Sequence, residues 1–258
     1  MAEHDPGAYG RHAASDYDDL TALLVQDTAA TVEALVELAD GGPVVEFGIG
    51  TGRLALPLRA RGVEVAGVEG SEDMRDLLRA KPGGSDIPVE IGDFAHARVP
   101  GAHALVALAF NTVYALPSQE AQVACFANAA AHLRPGGRFV LDAWLPDPGA
   151  FRGHQSVRTL AVRDDVVVVE TALHDPVNQR MTTTKVRYRN GEVRLFPANH
   201  RYAWPGELDL MARLAGMHLE HRWGGWTREP FTADSTMHVS VYRRSEEETG
   251  ARRDAPAG

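Results

Sequence analysis

Val44-Val45-Glu46-Phe47-Gly48-Ile49-Gly50-Thr51-Gly52-Arg53 is the stretch that decides the fold of this chain. An acid stands near the end of a short apolar run, and three glycines follow at alternate positions. A second apolar run over residues 63–68 ends on Glu69, 17 residues after Gly52. A strand, a tight turn, a helix and a second parallel strand produce this spacing. The glycines let the backbone turn sharply and lie against a ligand, where a Cβ would occupy ligand space. An acid closing the second strand stands where its carboxylate accepts hydrogen bonds from both hydroxyls of a ribose. The unit is expected to hold a nucleoside.

The loop reads Gly-x-Gly-x-Gly, whereas the dinucleotide fingerprint has two residues before its last glycine. A dinucleotide also needs a free helix N-terminus for its pyrophosphate. The tighter loop suits a ligand with a small amino-acid end and no phosphates. Three more segments follow in order: Gly67-Val68-Glu69-Gly70-Ser71-Glu72-Asp73-Met74, then Ile91-Gly92-Asp93-Phe94, then His132-Leu133-Arg134-Pro135-Gly136-Gly137-Arg138-Phe139. With the first stretch they resemble the class I S-adenosylmethionine-dependent methyltransferases over residues 44–145.

That resemblance implies an α/β fold with a Rossmann-like seven-stranded sheet, S-adenosyl-L-methionine as cofactor, and roles for named residues. Gly48, Gly50 and Gly52 would line the methionine end through their backbone. Glu46 would order the loop or receive the cofactor's ammonium through a water. Glu69, followed by Gly70, would take the ribose hydroxyls. Met74 would pack on an adenine face, Asp93 would accept from the adenine amino group, and Phe94 would offer its amide or its ring. Phe110, closing the fourth strand, would face the same mouth. Tyr9 and Tyr17 resemble an N-terminal aromatic segment that closes over the cofactor in enzymes that N-methylate amino sugars. A nicotinamide-dependent oxidoreductase and a non-catalytic protein that binds the cofactor as a sensor remain rival readings.

Composition bounds the partners. The 258 residues are 44% hydrophobic and 24% charged, ordinary for a globular chain of one large domain with an elaboration. The net charge of −9 disfavours a nucleic-acid partner, which usually meets a basic surface. No apolar run approaches the ~20 residues of a membrane span, and residues 1–6 lack the features of a signal peptide, so a cytoplasmic location is expected. The single cysteine, Cys125, excludes an intrachain disulfide and reads as a buried small apolar residue. No set of His, Cys and acidic residues has metal-ligand spacing. The sequence admits a homodimer.

Along the chain, residues 1–16 read as a mobile N-terminal segment and 17–39 as one helix or two short ones. Strand and helix signals then alternate to residue 150, which implies a parallel sheet with right-handed crossovers. After Leu145-Pro146-Asp147-Pro148-Gly149, three strand-like runs follow without a helix between them, and Asn190-Gly191 marks a hairpin. Residues 151–204 are therefore expected to be an antiparallel insert over the acceptor site. Residues 205–244 would finish the main sheet, and 245–258 would be a disordered tail.

In open α/β sheets ligands bind at the carboxyl ends of the strands, near the point where strand order reverses. The loop after the fourth strand reads Phe110-Asn111-Thr112-Val113-Tyr114-Ala115-Leu116. It lacks the Asn/Asp-Pro-Pro-aromatic signature of nucleobase and amide methylation, and it lacks the histidine near Ala115 expected in amino-sugar enzymes. Asn111 and Tyr114 are its acceptor-orienting groups. Strand alternation places Phe196, His200, Tyr202 and Trp204 on one face of the insert, with His200 as the catalytic choice. Trp144, Trp223 and Trp226 would line the same cavity. The expected activity is methyl transfer to a small molecule of secondary metabolism, nitrogen ahead of oxygen, with a protein or peptide acceptor as the alternative.

Overall fold

The computed structural model describes residues 5–24 and 27–246, and within the first helix the side chains of Tyr9 and His12 lie outside the described atoms. Two helices, α1 (Ala8–Leu24) and α2 (Thr28–Ala39), precede the alternating core. The core runs β1 (Val44–Phe47), α3 (Ala55–Ala60), β2 (Val65–Glu69), α4 (Glu72–Ala80), β3 (Val89–Ile91), β4 (His103–Leu108), α5 (Gln119–His132) and β5 (Leu133–Trp144). A meander follows as β6 (Gln155–Val162), β7 (Val166–Asp175), β8 (Arg180–Arg189) and β9 (Glu192–Arg201). The chain then returns through α6 (Pro205–Leu214), β10 (Met217–Trp223) and β11 (Met237–Arg244).

The main sheet has the order β10-β11-β5-β4-β1-β2-β3 and the meander is a separate sheet, β6-β7-β8-β9. β3, β2, β1, β4 and β5 are parallel, while β11 pairs antiparallel with β5 and β10 with β11. β1 and β4 are buried along their whole length, as strands covered on both faces must be. On one face the Phe126 ring of α5 meets Phe139 and Tyr242 edge to face, in one cluster with Leu208 and Met211 of α6. On the other, Leu35, Leu54 and Leu58 bring α2 and α3 against the sheet. Ser71 caps α4 by accepting from the Met74 N–H, and Glu72 and Asp73 in the first turn complement the helix dipole. Cys125 is fully buried in α5, and burial pushes its thiol pKa up.

Sequence order reverses on either side of β1, which is flanked by β2 and β4. The crevice between the ends of β1 and β4 is therefore the binding position that this topology prescribes.

Two elements differ from expectation. The helix begins at Ala8, inside the segment expected to be mobile. Its glycines allow close packing: a Cβ at Gly10 would overlap Ser71, and one at Gly7 would lie 2.7 Å from the Gly70 carbonyl. The meander also has a fourth strand, β6, whose pattern is diluted by Gln155, Arg158 and Thr159; its ladder with β7 completes it. The tail from residue 247 lies outside the described residues. Among the described residues no helix is long and apolar enough to cross a membrane.

Candidate active site

Gly48, Gly50 and Gly52 have φ of 69°, 56° and 84°, a region that favours glycine. Their surroundings differ. A Cβ at Gly52 would drive into Leu78 and Leu56, so the absent side chain here makes room for core packing. A Cβ at Gly48 would meet the Thr112 methyl at 3.0 Å. At Gly50 nothing lies nearer than the Gly48 carbonyl at 3.9 Å, so the backbone there is open to close approach.

Glu69 ends β2 at the edge of this loop and is buried. One carboxylate oxygen accepts from the Gly50 N–H at 2.8 Å and the other from the Ser71 N–H at 3.0 Å. Burial raises its pKa while these amides pull the other way. The carboxylate is thus fixed in place, and each oxygen retains an acceptor position.

Glu46 lies beneath the loop, 5% exposed, and its Oε2 is buried without a partner. Burial pushes its pKa up to about 8, against the pull of Arg53. An orphaned acid of this kind fits the ammonium end of an amino-acid-bearing ligand, directly or through water. An unfolded chain ionises this group near 4.5, so its contribution to stability declines above that pH and is lost as pH rises through about 8. The Tm of the ligand-free protein is expected to fall between pH 6.5 and 8, and Glu46→Gln to flatten that fall. A variant that keeps the wild-type slope in thermal denaturation would assign the titration to another group.

The loop after β4 is braced from β5. Phe110 and Asn111 both have positive φ, 65° and 59°. This is sparse territory for Phe, tolerated only where surroundings over-determine it. The Phe110 N–H donates to Asp142 Oδ1 at 2.6 Å, and the Trp144 N–H donates to Asn111 Oδ1 at 2.6 Å. The Arg53 guanidinium lies 5.3 Å over the Phe110 ring. Burial lifts the Asp142 carboxyl to about 6. Sequence reasoning missed Asp142 and Arg53. The signal for the first was an acid inside the apolar run Phe139–Trp144; the second carries none, because its partners come from three other segments.

Tyr114, expected to orient an acceptor, is instead sealed in the core. Its hydroxyl donates to the carbonyls of Ala203 at 2.8 Å and Trp144 at 3.1 Å, and burial pushes the phenol well above its usual pKa. It ties the end of β5 to the segment between β9 and α6. Tyr114→Phe is expected to lower stability by about 1–2 kcal/mol, the penalty for leaving a buried acceptor unpaired, with cofactor affinity unchanged. A chemical denaturation curve matching wild type would remove the brace. The Asn111 side-chain oxygen holds the Trp144 amide and so braces the loop, with its NH₂ group left to meet an acceptor.

The remaining predicted residues gather at the same edge with mixed fates. Asp93 caps its own turn, accepting from the Ala95 N–H at 2.8 Å. The Phe94 ring stacks on Phe47 at 6.2 Å, toward the core. Met74 is buried in a cluster with Ala13 and Leu20 of α1 and Phe196 of the meander. Tyr17 packs partly buried on that cluster. A Cβ at Gly70 would overlap Pro6, which makes this glycine a packing position for the start of α1. The Tyr9 side chain lies outside the described residues.

α1 bridges the two sheets across this edge. Asp18 accepts from Thr51 in the glycine loop at 2.5 Å and pairs with Lys81 at 2.6 Å. Asp16 pairs with Arg187 of β8 at 2.5 Å and Arg194 of β9 at 3.0 Å.

His200 stands at the junction of the meander and the end of β5. Its ring meets Trp144 edge on at 6.3 Å, Nε2 lies 3.3 Å from Thr183 Oγ1, and Nδ1 is buried without a partner. Burial, with Lys185 nearby, lowers its pKa to about 4, so the imidazole is neutral at physiological pH. The expected aromatic face holds in part. Tyr202 lies 6.1 Å from Trp144 and bonds His174 Nε2 at 2.9 Å. β9 ends at Arg201, however, and Trp204 turns outward, 45% exposed. Trp223 and Trp226 are elsewhere: they pack with α2 on the opposite face of the main sheet, because β10 is the far edge strand.

Comparison with known proteins follows the same outline. A family model described as a methyltransferase domain matches residues 44–137. The CcbJ methyltransferase from Streptomyces caelestis is 38% identical, with a TM-score of 0.86 over 93% of this chain and 99% of that one. The cypemycin N-terminal methyltransferase of a Streptomyces species is 28% identical over 246 residues, 93% of this chain and 99% of that protein. CalS10, an amino pentose methyltransferase from Micromonospora echinaspora solved with S-adenosylmethionine bound, shares the fold at 21% identity and a TM-score of 0.64, over 85% and 90% of the two chains.

Proposed function

The chain belongs to the class I S-adenosylmethionine-dependent methyltransferases, and from that premise we propose that it methylates an amine nitrogen of a small molecule of secondary metabolism. The observation that carries the choice of nitrogen is His200: a neutral, weakly basic imidazole with an unpartnered Nδ1 beside Trp144. S-adenosylmethionine supplies an electrophilic sulfonium methyl. Attack on it disperses charge, so the protein's tasks are alignment and exclusion of water. A neutral amine needs no base, whereas an alcohol or phenol generally does. An imidazole whose pKa is about 4 is a poor base but a good acceptor for an amine N–H, and so aims the nitrogen lone pair.

On the cofactor side, Glu69 takes the ribose hydroxyls, Asp93 the adenine amino group, and Glu46 the ammonium, while the open backbone at Gly50 receives the methionine end. The fixed Glu69 carboxylate and the orphaned Glu46 oxygen support this assignment. A peptide amino terminus is the second reading, favoured by the likeness to the cypemycin enzyme. It is the same nucleophile in a larger acceptor.

Calorimetric titration with S-adenosylhomocysteine, with NAD as control, tests the cofactor side; micromolar binding of the former alone is expected. Mass spectrometry of incubations with amine, phenol and short-peptide acceptors tests the rest. Methylated phenols without methylated amines would overturn the nitrogen assignment.

A further inference from the structure

The meander face turned toward α1 and Trp144 carries more positive charge than its acids balance. This face is anchored at two places: Val166, Val168 and Phe196 pack with α1, and His200 meets Trp144. Along β8 its side chains run from Met181, opposite His200, through Thr183 to Lys185, opposite Phe196, and then to Arg187, opposite Arg194. Lys185 therefore stands between the His200 end and α1. Glu170 of β7, buried, faces Lys185 from the other side.

Two clusters on this face are short of acid. Glu170 Oε1 accepts from Arg158 Nε at 2.8 Å, with Arg158 Nη2 at 2.7 Å, so this carboxylate already has a partner. The Lys185 ammonium lies 3.5 Å from Glu170 Oε2, beyond a normal hydrogen bond. Arg187, 6% exposed, gives Nη2 to Asp16 and leaves Nε and Nη1 buried without partners. Asp16 is shared with Arg194. Four cations thus meet two acids, in a chain whose net charge is −9. A cation withdrawn from water is costly unless a counter-charge comes to it.

We propose that Lys185 determines acceptor specificity: its ammonium binds a carboxylate carried by the same molecule as the amine that His200 aims. The proposal rests on the reading of this crevice as the acceptor site. With Glu170 shared between Arg158 and Lys185, one positive charge is left over there, which matches a monoanion. It stands on a sheet face and not at a helix N-terminus with free backbone amides, which suits a carboxylate better than a phosphate. Arg187, next along the same face, adds its idle donors to the field that draws the anion in. The acceptor class is an amino acid, or a conjugate that keeps a free carboxylate.

Calorimetry on the full chain saturated with S-adenosylhomocysteine tests it, with phenylacetate and phenylacetamide as probes. The two share a shape and differ in charge, and neither carries an amine, so the result does not depend on methyl transfer. The carboxylate is expected to bind about 10-fold more tightly than the amide, as for a hydrogen bond between charged groups. Lys185→Met should abolish that preference and Lys185→Arg should keep most of it, both with wild-type S-adenosylhomocysteine affinity. Equal binding of the two probes to wild type would overturn the proposal, as would no binding of either at about 20 mM. So would a preference that survives in Lys185→Met, which would leave Lys185 as a partner of Glu170 alone. The nitrogen reading fails separately: methylated phenols in the acceptor screen would refute it while a carboxylate preference in calorimetry stands.

Discussion

Replacing His200 with alanine is expected to lower kcat about 100-fold, the usual effect of losing an orienting contact at a reacting group. S-adenosylhomocysteine affinity should stay within a factor of about two, because no contact of His200 reaches the glycine loop or Glu69. The pairing of these readouts separates an acceptor-side role from a structural one. A ring that merely packs on Trp144 would, when removed, lower Tm and leave the turnover of the folded fraction near wild type. His200→Asn should recover part of the lost rate, since its amide oxygen restores an acceptor close to the position of Nδ1. The pH profile carries a further check. With a pKa of about 4 the imidazole does not change charge between pH 6 and 9. The profile of kcat should therefore show the titration of the acceptor amine and no limb at the ordinary histidine value. A limb near 6.5 that disappears in His200→Ala would mean that this residue works as a base and that oxygen acceptors are in play.

Glu69→Ala is expected to weaken S-adenosylhomocysteine binding by ~2 kcal/mol, about 30-fold, as for the loss of hydrogen bonds to a charged acceptor. The geometry explains why one side chain carries so much. Its two oxygens are held by the Gly50 and Ser71 amides, so the carboxylate fixes the glycine loop as well as facing the crevice. Glu69→Gln should lose nearly as much, because its NH₂ group would oppose one of those backbone donors. Thermal denaturation of both variants confirms that the protein being titrated is folded. Unchanged affinity in a folded Glu69→Ala protein would end the ribose assignment.

The nucleoside-binding unit was legible because its signals are local. A positive φ at Gly48, Gly50 and Gly52, an acid closing β2, and a serine cap before α4 depend on residues a few positions apart. The seven-stranded sheet and the inserted meander could be read for the same reason, from periodicity and breakers. Roles were less legible where a residue's neighbour in space lies far along the chain. Tyr114 reads as a loop aromatic near an active site, yet its hydroxyl meets Ala203, 89 residues away. Gly7 and Gly10 read as flexible, yet they are where α1 touches Gly70 and Ser71. Trp223 and Trp226 read as cavity walls until the sheet order puts β10 at the far edge.

Sequence alone thus determined the cofactor class and the arrangement of elements, since strand ends, turns and caps are set by short-range backbone preference. Tertiary structure alone decided which buried polar groups are left unpartnered: Glu46 and His200 keep unpartnered buried atoms, whereas the Tyr114 hydroxyl is spent on backbone carbonyls. A buried polar atom is satisfied by whatever the fold brings within about 3 Å, and no local pattern specifies that neighbour.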